Sequence, residues 1–335
     1  MSQLKLTYAG GDYLDRTRAL ISGEVRVEGV DLNYLVIGYG DLFRRVSQHA
    51  EFGAAELSMS TYMMLCARGD RRFVGIPVFP SRSFRHNGIY LSPAAEVQRP
   101  EDLAGKRVGL AEYQMTAALW VRAFLAHDYG VTPDRVHWLY GALNIPTYEE
   151  RLEHAPPDGV RIERIPDSLT LEGMLEHNEI DALLSPQRPL SFGDPGCGVR
   201  LLFPDYRAVE REYFRRTALF PIMHLVVVRR DIYEEHPWVA ANLLQAFEEA
   251  KQAGLARLRY LGALAVALPW LAADVDEVAE LFGGDPFPYG FSRNLHVIEA
   301  MTGYAFEQGL TDRKLEPAEL FAPETMQDPV TFVYR

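Results

Sequence analysis

Cysteine, positive charge and long apolar runs are all scarce in this sequence, and each scarcity removes a class of function. Two cysteines, Cys66 and Cys197, cannot build a disulfide framework, and neither stands in a metal-ligand spacing. They read as small, reduced, buried hydrophobes. Lys and Arg number 34 against 46 Asp and Glu, a net charge of −12 over 335 residues. That balance supplies no basic face for nucleic acid and no attraction to an anionic membrane surface. No stretch approaches the roughly 18 apolar residues of a membrane span. The opening MSQLKLTYAGGDYLDRTRAL has one lysine and a broken apolar stretch, unlike a secretory signal, so the expected compartment is the cytoplasm. GxSxG, a Walker loop and GxGxxG are all missing, which removes serine hydrolysis, phosphoryl transfer and hydride transfer. HxH and HExxH are missing too, which leaves a dedicated metal site weakly supported; no cofactor is expected, with a divalent metal left open but without support in the sequence.

What is present is an alternation of short β-branched or aromatic runs with amphipathic stretches, the mark of an α/β chain. LKLTYAG, VDLNYLVI, FVGIPVFPS, GIYLSP, GKRVGL, VHWLYG, GVRIERIP, IDALLSP and HLVVVRR read as strands. DLFRRVSQHAEF reads as a helix with Asp41 as N-cap, and further helices end at Gly69 and Gly130. From Pro237 onward the pattern is almost wholly helical. The order predicts two α/β lobes joined by two crossing hinge strands. Lobe 1 takes residues 1–95 plus 219–335, with the helical C-terminal tail packed on it, and lobe 2 takes 96–218. A ligand is expected in the cleft between lobes, among strand-end loops and helix starts.

The sharpest cluster of side chains is Arg82-Ser83-Phe84-Arg85-His86-Asn87, just before the strand GIYLSP. In extended chain Ser83, Arg85 and Asn87 share one side and Arg82, Phe84 and His86 the other, although a turn would let both arginines and the imidazole converge. The planar fork of arginine suits a carboxylate. His224, in PIMH before LVVVRR, is placed like His86, and histidine is the natural proton donor near neutral pH. His127, His154, His177 and His236 read instead as helix-end or polar-loop positions. Three further loops complete the expected pocket. Asp12 and Tyr13 follow Gly10-Gly11, with Arg16 at the start of a helix. Glu56 and Ser58 precede another helix; Glu56 could orient a histidine, accept from a phenol or simply cap the helix. Gln114 and Thr116 lead into AALWVRAFL, with Thr116 as N-cap or ligand donor, and Ser185 and Arg188 follow IDALL.

DYLDRTRAL, EFGAAELSMSTYMMLCARGD, FVGIPVFPSRSFRHNGIYL, PEDLAGKRVGLAEYQMTAALWVR, IDALLSPQRP, ALFPIMHLVVVRRDIYEEHPWV and DPFPYGFSRN span almost the whole chain. Together they resemble the 4,5-dihydroxyphthalate decarboxylase family, of type II periplasmic-binding-protein-like fold. SRSFRH with a later FPIMH is the specific part; Leu14, Asn87 and Gln187 depart from the family's usual residues. The resemblance implies a carboxy-lyase of aromatic compound catabolism, releasing CO2 from a hydroxylated, phthalate-like acid by ring protonation from a histidine. Arg82 and Arg85 would hold carboxylates, His86 (the first choice) or His224 would protonate, and Glu56 or Asp12 would engage the phenol. The partner is then a small aromatic carboxylate, neither nucleic acid nor membrane, with homo-oligomerisation left open. The alternative is a non-catalytic solute-binding or sensing protein that uses the same arginines and needs no acid.

Overall fold

The β-branched runs form eleven strands in a computed structural model that describes residues 3–149, 152, 157–260 and 262–331; His154 lies outside these. In chain order they are β1 (Leu4–Gly10), β2 (Val30–Val36), β3 (Ala54–Ser58), β4 (Phe73–Arg82), β5 (Ile89–Leu91) and β6 (Arg107–Leu110). There follow β7 (His137–Tyr140), β8 (Arg161–Arg164), β9 (Ala182–Leu184), β10 (Arg200–Leu201) and β11 (Ile222–Arg229). The chain divides into two compact units. Unit 1 holds Met1–Arg82, Ile222–Glu299 and Leu315–Arg335; unit 2 holds Ser83–Pro221 and Ala300–Lys314.

Unit 1 is built on a sheet of order β2-β1-β3-β11-β4. β3 lies inside it, parallel to β1 and antiparallel to β11, and all five of its residues are buried. Its polar Glu56 and Ser58, on either side of Leu57, are therefore buried rather than facing solvent. Helix Trp238–Arg259 covers the sheet with Val239, Ala240, Leu243, Leu244, Phe247 and Ala250, apolar residues at helical spacing. Phe247 meets the Tyr8 ring edge-on at 5.3 Å, and truncating it to Ala would cost about 3–5 kcal/mol. Gly254 of this helix lies against the Asp15 backbone, where any Cβ would collide. One turn earlier Lys251, fully buried, reaches Glu248 Oε2 at 2.8 Å, Asp285 Oδ2 at 2.5 Å and the Phe287 carbonyl at 2.9 Å. It thereby pins the DPFPYG loop.

Unit 2 carries a sheet of order β10-β5-β9-β6-β7-β8. Helix Thr116–Tyr129 is buried continuously from Thr116 to Leu125, which is why AALWVRAFL lacks a polar face. A core of Leu139, Ile165, Leu171, Leu175, Ile180 and Leu183 forms beside β9.

Several expectations need correction. Residues 83–95 belong to unit 2, because β5 pairs antiparallel with β9 in that unit's sheet. Residues 300–314 also join unit 2, where Gln308 bonds to Arg122 and Tyr304 packs on Trp120. The chain therefore changes unit four times rather than twice. Helix Tyr206–Thr217, whose Asp205 cap accepts from the Ala208 N–H at 3.3 Å, was not foreseen. Asp41 lies inside helix Tyr39–His49 and pairs with Arg44, so Gly38 takes the N-cap; Met115, not Thr116, takes it in the later helix. Among the described residues no helix is long and apolar enough to cross a membrane, and no His/Cys/Asp/Glu cluster could hold a metal.

Candidate active site

β3 and β11 bring Glu56 and His224 together in unit 1. In the antiparallel register His224 lies opposite Ser58 and Val226 opposite Glu56, so Glu56 and His224 are diagonal neighbours on one face. Against β4 the register of β11 slips on both sides of His224, an irregularity that turns its side chain partly out of an otherwise buried strand. The sequence placed His224 before the strand; it stands within it. Nδ1 of His224 meets Glu56 Oε1 at 2.6 Å. A carboxylate oxygen accepts, so Nδ1 carries the hydrogen and Nε2 is left for other chemistry.

Glu56 is completely buried and fully engaged. Its Oε1 also accepts from Tyr13 Oη at 2.7 Å, and Oε2 accepts from the Gly11 N–H at 2.9 Å. A Cβ at residue 11 would strike the Tyr39 hydroxyl and the Tyr13 ring, so those rings would have to shift to admit one. Thr17 closes the same loop, donating to the Gly11 carbonyl at 3.1 Å and accepting from the Tyr13 N–H at 2.9 Å. Burial, then the Glu56 charge, pushes the Tyr13 phenol well above its ordinary pKa, which keeps it a neutral donor. The imidazole of His224 packs between Tyr39 at 5.1 Å and the edge of Phe43 at 4.8 Å.

Other unit 1 candidates take different places. Asp12 is exposed and paired with Arg18 at 2.8 Å, away from Glu56. Arg16 stacks over the Tyr13 ring at 4.4 Å and the Phe287 ring at 4.1 Å. The helix expected to begin there is the four-residue Arg18–Ile21, too short for an anion-binding terminus. Ser58 Oγ lies 3.3 Å from Ser60 Oγ. Arg82 is buried against Asn294 Oδ1 and donates to the Pro288 carbonyl at 3.2 Å. It therefore belongs to unit 1, whereas Arg85 belongs to unit 2.

In unit 2 the arginine loop is not extended, since His86–Gly88 forms a 3-10 turn, yet its side chains still divide between two sides. Ser83, Arg85 and Asn87 line one cavity of about 230 Å³, together with Tyr90, Arg188 and Tyr206. Phe84 turns the other way, onto Phe220 at 4.7 Å, and so does His86, stacked on Phe124 at 4.1 Å and 12°. Two guanidiniums with hydroxyl and amide groups around a small cavity suit a carboxylate. Glu210, from the unforeseen helix, accepts from the Asn87 N–H at 3.4 Å and stands 3.9 Å from His86 Nδ1. Burial, then the Arg216 charge, holds the His86 imidazole down at about 4, so it is neutral in the free protein. Burial raises the Glu210 carboxyl to about 7. Ser185 Oγ accepts from the Gln187 N–H at 3.1 Å, and the buried Gln114 reaches the Leu152 carbonyl at 3.4 Å. Thr116 is buried in the first helical turn.

The sequence reading missed Tyr39, Phe43, Tyr206 and Glu210. Tyr206, Val209 and Tyr213 are spaced i, i+3, i+7 behind the capping Asp205, a helical signal that could have found Glu210. No comparable signal marks Tyr39, which only packing brings to His224.

Comparison with known proteins agrees with this architecture. No family model matches the chain. It is 38% identical over 327 residues to a 4,5-dihydroxyphthalate decarboxylase of Comamonas testosteroni, covering 98% of this chain and 99% of the relative. A Pseudomonas putida protein of the same name is 36% identical over 215 residues, 64% of this chain and 83% of the relative. Among solved structures, the periplasmic aliphatic sulphonate binding protein SsuA of Escherichia coli superposes with a TM-score of 0.56 at 12% identity, covering 97% and 99% of the two chains. The desulfurization enzyme DSZB does so at 0.51 and 15%, covering 97% and 98%. These two likenesses show the periplasmic-binding-protein-like α/β fold alone. With better than one residue in three shared along nearly its entire length, the chain belongs to the 4,5-dihydroxyphthalate decarboxylase family of carboxy-lyases.

Proposed function

We propose that the protein releases CO2 non-oxidatively from a hydroxylated aromatic acid resembling 4,5-dihydroxyphthalate, with His224 as the proton donor. A phenol oxygen para or ortho to the carboxylate-bearing carbon enriches that carbon in electrons. Nε2 of the imidazolium gives its proton to the carbon, and a dearomatised intermediate forms. The bond to the carboxylate then breaks, its electron pair returns to the ring, and CO2 leaves. One proton is taken up per turnover and is restored to His224 from water. No oxidant is consumed, and the hydroxylated ring serves as its own electron sink.

The observation that carries this reading is the His224–Glu56–Tyr13 cluster. Glu56 fixes the tautomer and stabilises the imidazolium, as a buried carboxylate does behind many catalytic histidines. With every Glu56 oxygen engaged, the phenol-binding role suggested by the sequence does not suit it, nor does it suit the Arg18-paired Asp12. His86 is the poorer acid because it is neutral near pH 7. Within unit 2, the cavity at Arg85 and Arg188 has the donors to receive a carboxylate. The test is incubation with 4,5-dihydroxyphthalate, following CO2 and the loss of the phthalate ultraviolet band. His224→Gln should lower kcat by about 10²–10⁴ with little change in substrate affinity. A panel of hydroxylated aromatic acids that bind without releasing CO2 would replace this reading with a solute-binding role.

A further inference from the structure

Beyond helix Trp238–Arg259 of unit 1, residues 260–270 read YLGALAVALPW, without one charged side chain. Tyr260 is 65% exposed, Leu264 48%, Leu268 54% and Trp270 77%. Ala263, Ala265, Ala267 and Pro269 between them are exposed as well. Apolar residues scattered singly over a surface are ordinary; a consecutive run of them left in water is not. Helix Leu271–Phe282, which follows, buries only Leu271, so it does not draw the run into the core.

The size of this surface is informative. With aromatic side chains of about 150–250 Å² and leucines somewhat smaller, the four large residues expose on the order of 500 Å². That exceeds the roughly 400 Å² of contiguous apolar surface tolerated outside a binding site. It matches the apolar share, about 65%, of the ~800 Å² that each partner gives to a standard homodimer interface.

The charges at its two ends say which partner fits. Arg257 and Arg259 precede the run. Arg257 is paired with Glu24, whereas the exposed Arg259 donates to the neutral Gly284 carbonyl at 2.7 Å and keeps its charge uncompensated there. Asp276 and Glu280 follow the run, one turn apart and exposed. The order basic, apolar, acidic is complementary to itself run backwards. A two-fold axis lays apolar surface on apolar surface and sets Arg259 of each copy toward Asp276 and Glu280 of the other. The same acidic end, in a chain of net charge −12, opposes an anionic lipid surface.

We propose that residues 257–280 form the contact through which two copies of this chain associate about a two-fold axis, with Tyr260 and Trp270 as its aromatic anchors. The inference does not depend on the decarboxylase reading.

The test is analytical ultracentrifugation of the full chain over a dilution series. The wild type should sediment as a dimer that dissociates on dilution. Trp270→Glu should raise the dimer Kd by about 100-fold or more, as the loss of a buried aromatic anchor does. Its circular dichroism should match that of the dissociated wild type. Arg259→Glu should weaken association, and adding Asp276→Arg and Glu280→Arg should restore it. A wild type that is monomeric throughout, or a dimer indifferent to Trp270→Glu, overturns the proposal. So does association that Arg259→Glu weakens and the charge exchange fails to restore, since the two-fold arrangement requires that rescue. A monomeric wild type that floats with phosphatidylcholine vesicles, and loses this in Trp270→Glu, assigns the surface to a membrane and also overturns it. If Trp270→Glu does not fold, Leu264→Gln is read by the same outcomes.

Discussion

Replacing Glu56 by Gln changes one oxygen for an amide nitrogen and one charge for none. Three donors now converge on the carboxylate: the Gly11 N–H at 2.9 Å, Tyr13 Oη at 2.7 Å and His224 Nδ1 at 2.6 Å. If the amide keeps its oxygen toward Gly11, its NH2 faces two donors on the other side. Tyr13 can rotate its hydroxyl and accept instead. His224 can accept only by moving its hydrogen to Nε2, the tautomer that no longer has a carboxylate behind the imidazolium. If the amide flips, the buried Gly11 N–H is orphaned. The flipped amide leaves one buried hydrogen bond unmade, costing about 1–3 kcal/mol, and Tm falls by about 2–4 °C per kcal/mol in a unit of this size; the unflipped amide keeps the bonds but holds His224 in the wrong tautomer. Wrong tautomers of histidines held by a carboxylate cost up to ~10⁴ in kcat, so CO2 release should fall by about 10²–10⁴. Calorimetry and a CO2-release assay on the same preparation separate the two effects. A folded Glu56→Gln protein with kcat within tenfold of wild type would refute the positioning of His224 by this carboxylate.

The unit 2 cavity predicts that Arg85→Ala raises KM by tenfold or more, through loss of a charge-assisted pair contributing about 1.5–3 kcal/mol. Arg85→Lys should recover only part, because a point charge lacks the bidentate fork; equal KM in both variants and wild type would remove the carboxylate role. His86 and Glu210 predict opposing pH effects on stability. With its folded pKa near 4 against an ordinary 6.5, His86 contributes stability above about pH 6.5 that is lost as pH falls through 4, on the order of 3 kcal/mol. Glu210, near 7 against 4.5, contributes stability at low pH that is lost as pH rises through 7. Tm measured from pH 4 to 8 should therefore lose its acid limb in His86→Phe and its upper limb in Glu210→Gln; curves parallel to wild type would show that neither group carries the effect. Lys251→Met leaves the buried Glu248 and the half-buried Asp285 without their cation, so the denaturant midpoint should reveal a loss of about 3–5 kcal/mol. An unchanged midpoint would mean that the triad is structurally idle.

The α/β class, most of the strands and the helices ending at Gly69 and Gly130 were legible in the sequence, because they follow from local periodicity and end signals. Ser83, Arg85 and Asn87 do part from Phe84 and His86, but not through extended chain, since the backbone leaves β4 after Arg82 and forms a 3-10 turn over His86–Gly88; packing decides the split. The helix carrying Glu210 hid behind its charge, as YRAVEREYFRRT shows few apolar residues and keeps only Tyr213 and Glu210 buried.

Two matters were beyond any local reading. Local pattern puts residues 83–95 and 300–314 with lobe 1 and the fold puts them in unit 2, because unit membership depends on which distant strand or helix a segment meets. The partner of each histidine was hidden as well. Nothing in AAELS or PIMH says that Glu56 and His224 are diagonal neighbours; antiparallel pairing across 168 residues of chain decides it. Nor does SFRHN say that His86 will stack on Phe124 and lose its charge. Which residue types stand on which side of a strand can be read locally, because that depends on bonds between neighbours. Which histidine keeps a carboxylate behind it and which is desolvated cannot, because the energy of a proton on nitrogen depends on groups and water that folding brings close or drives away.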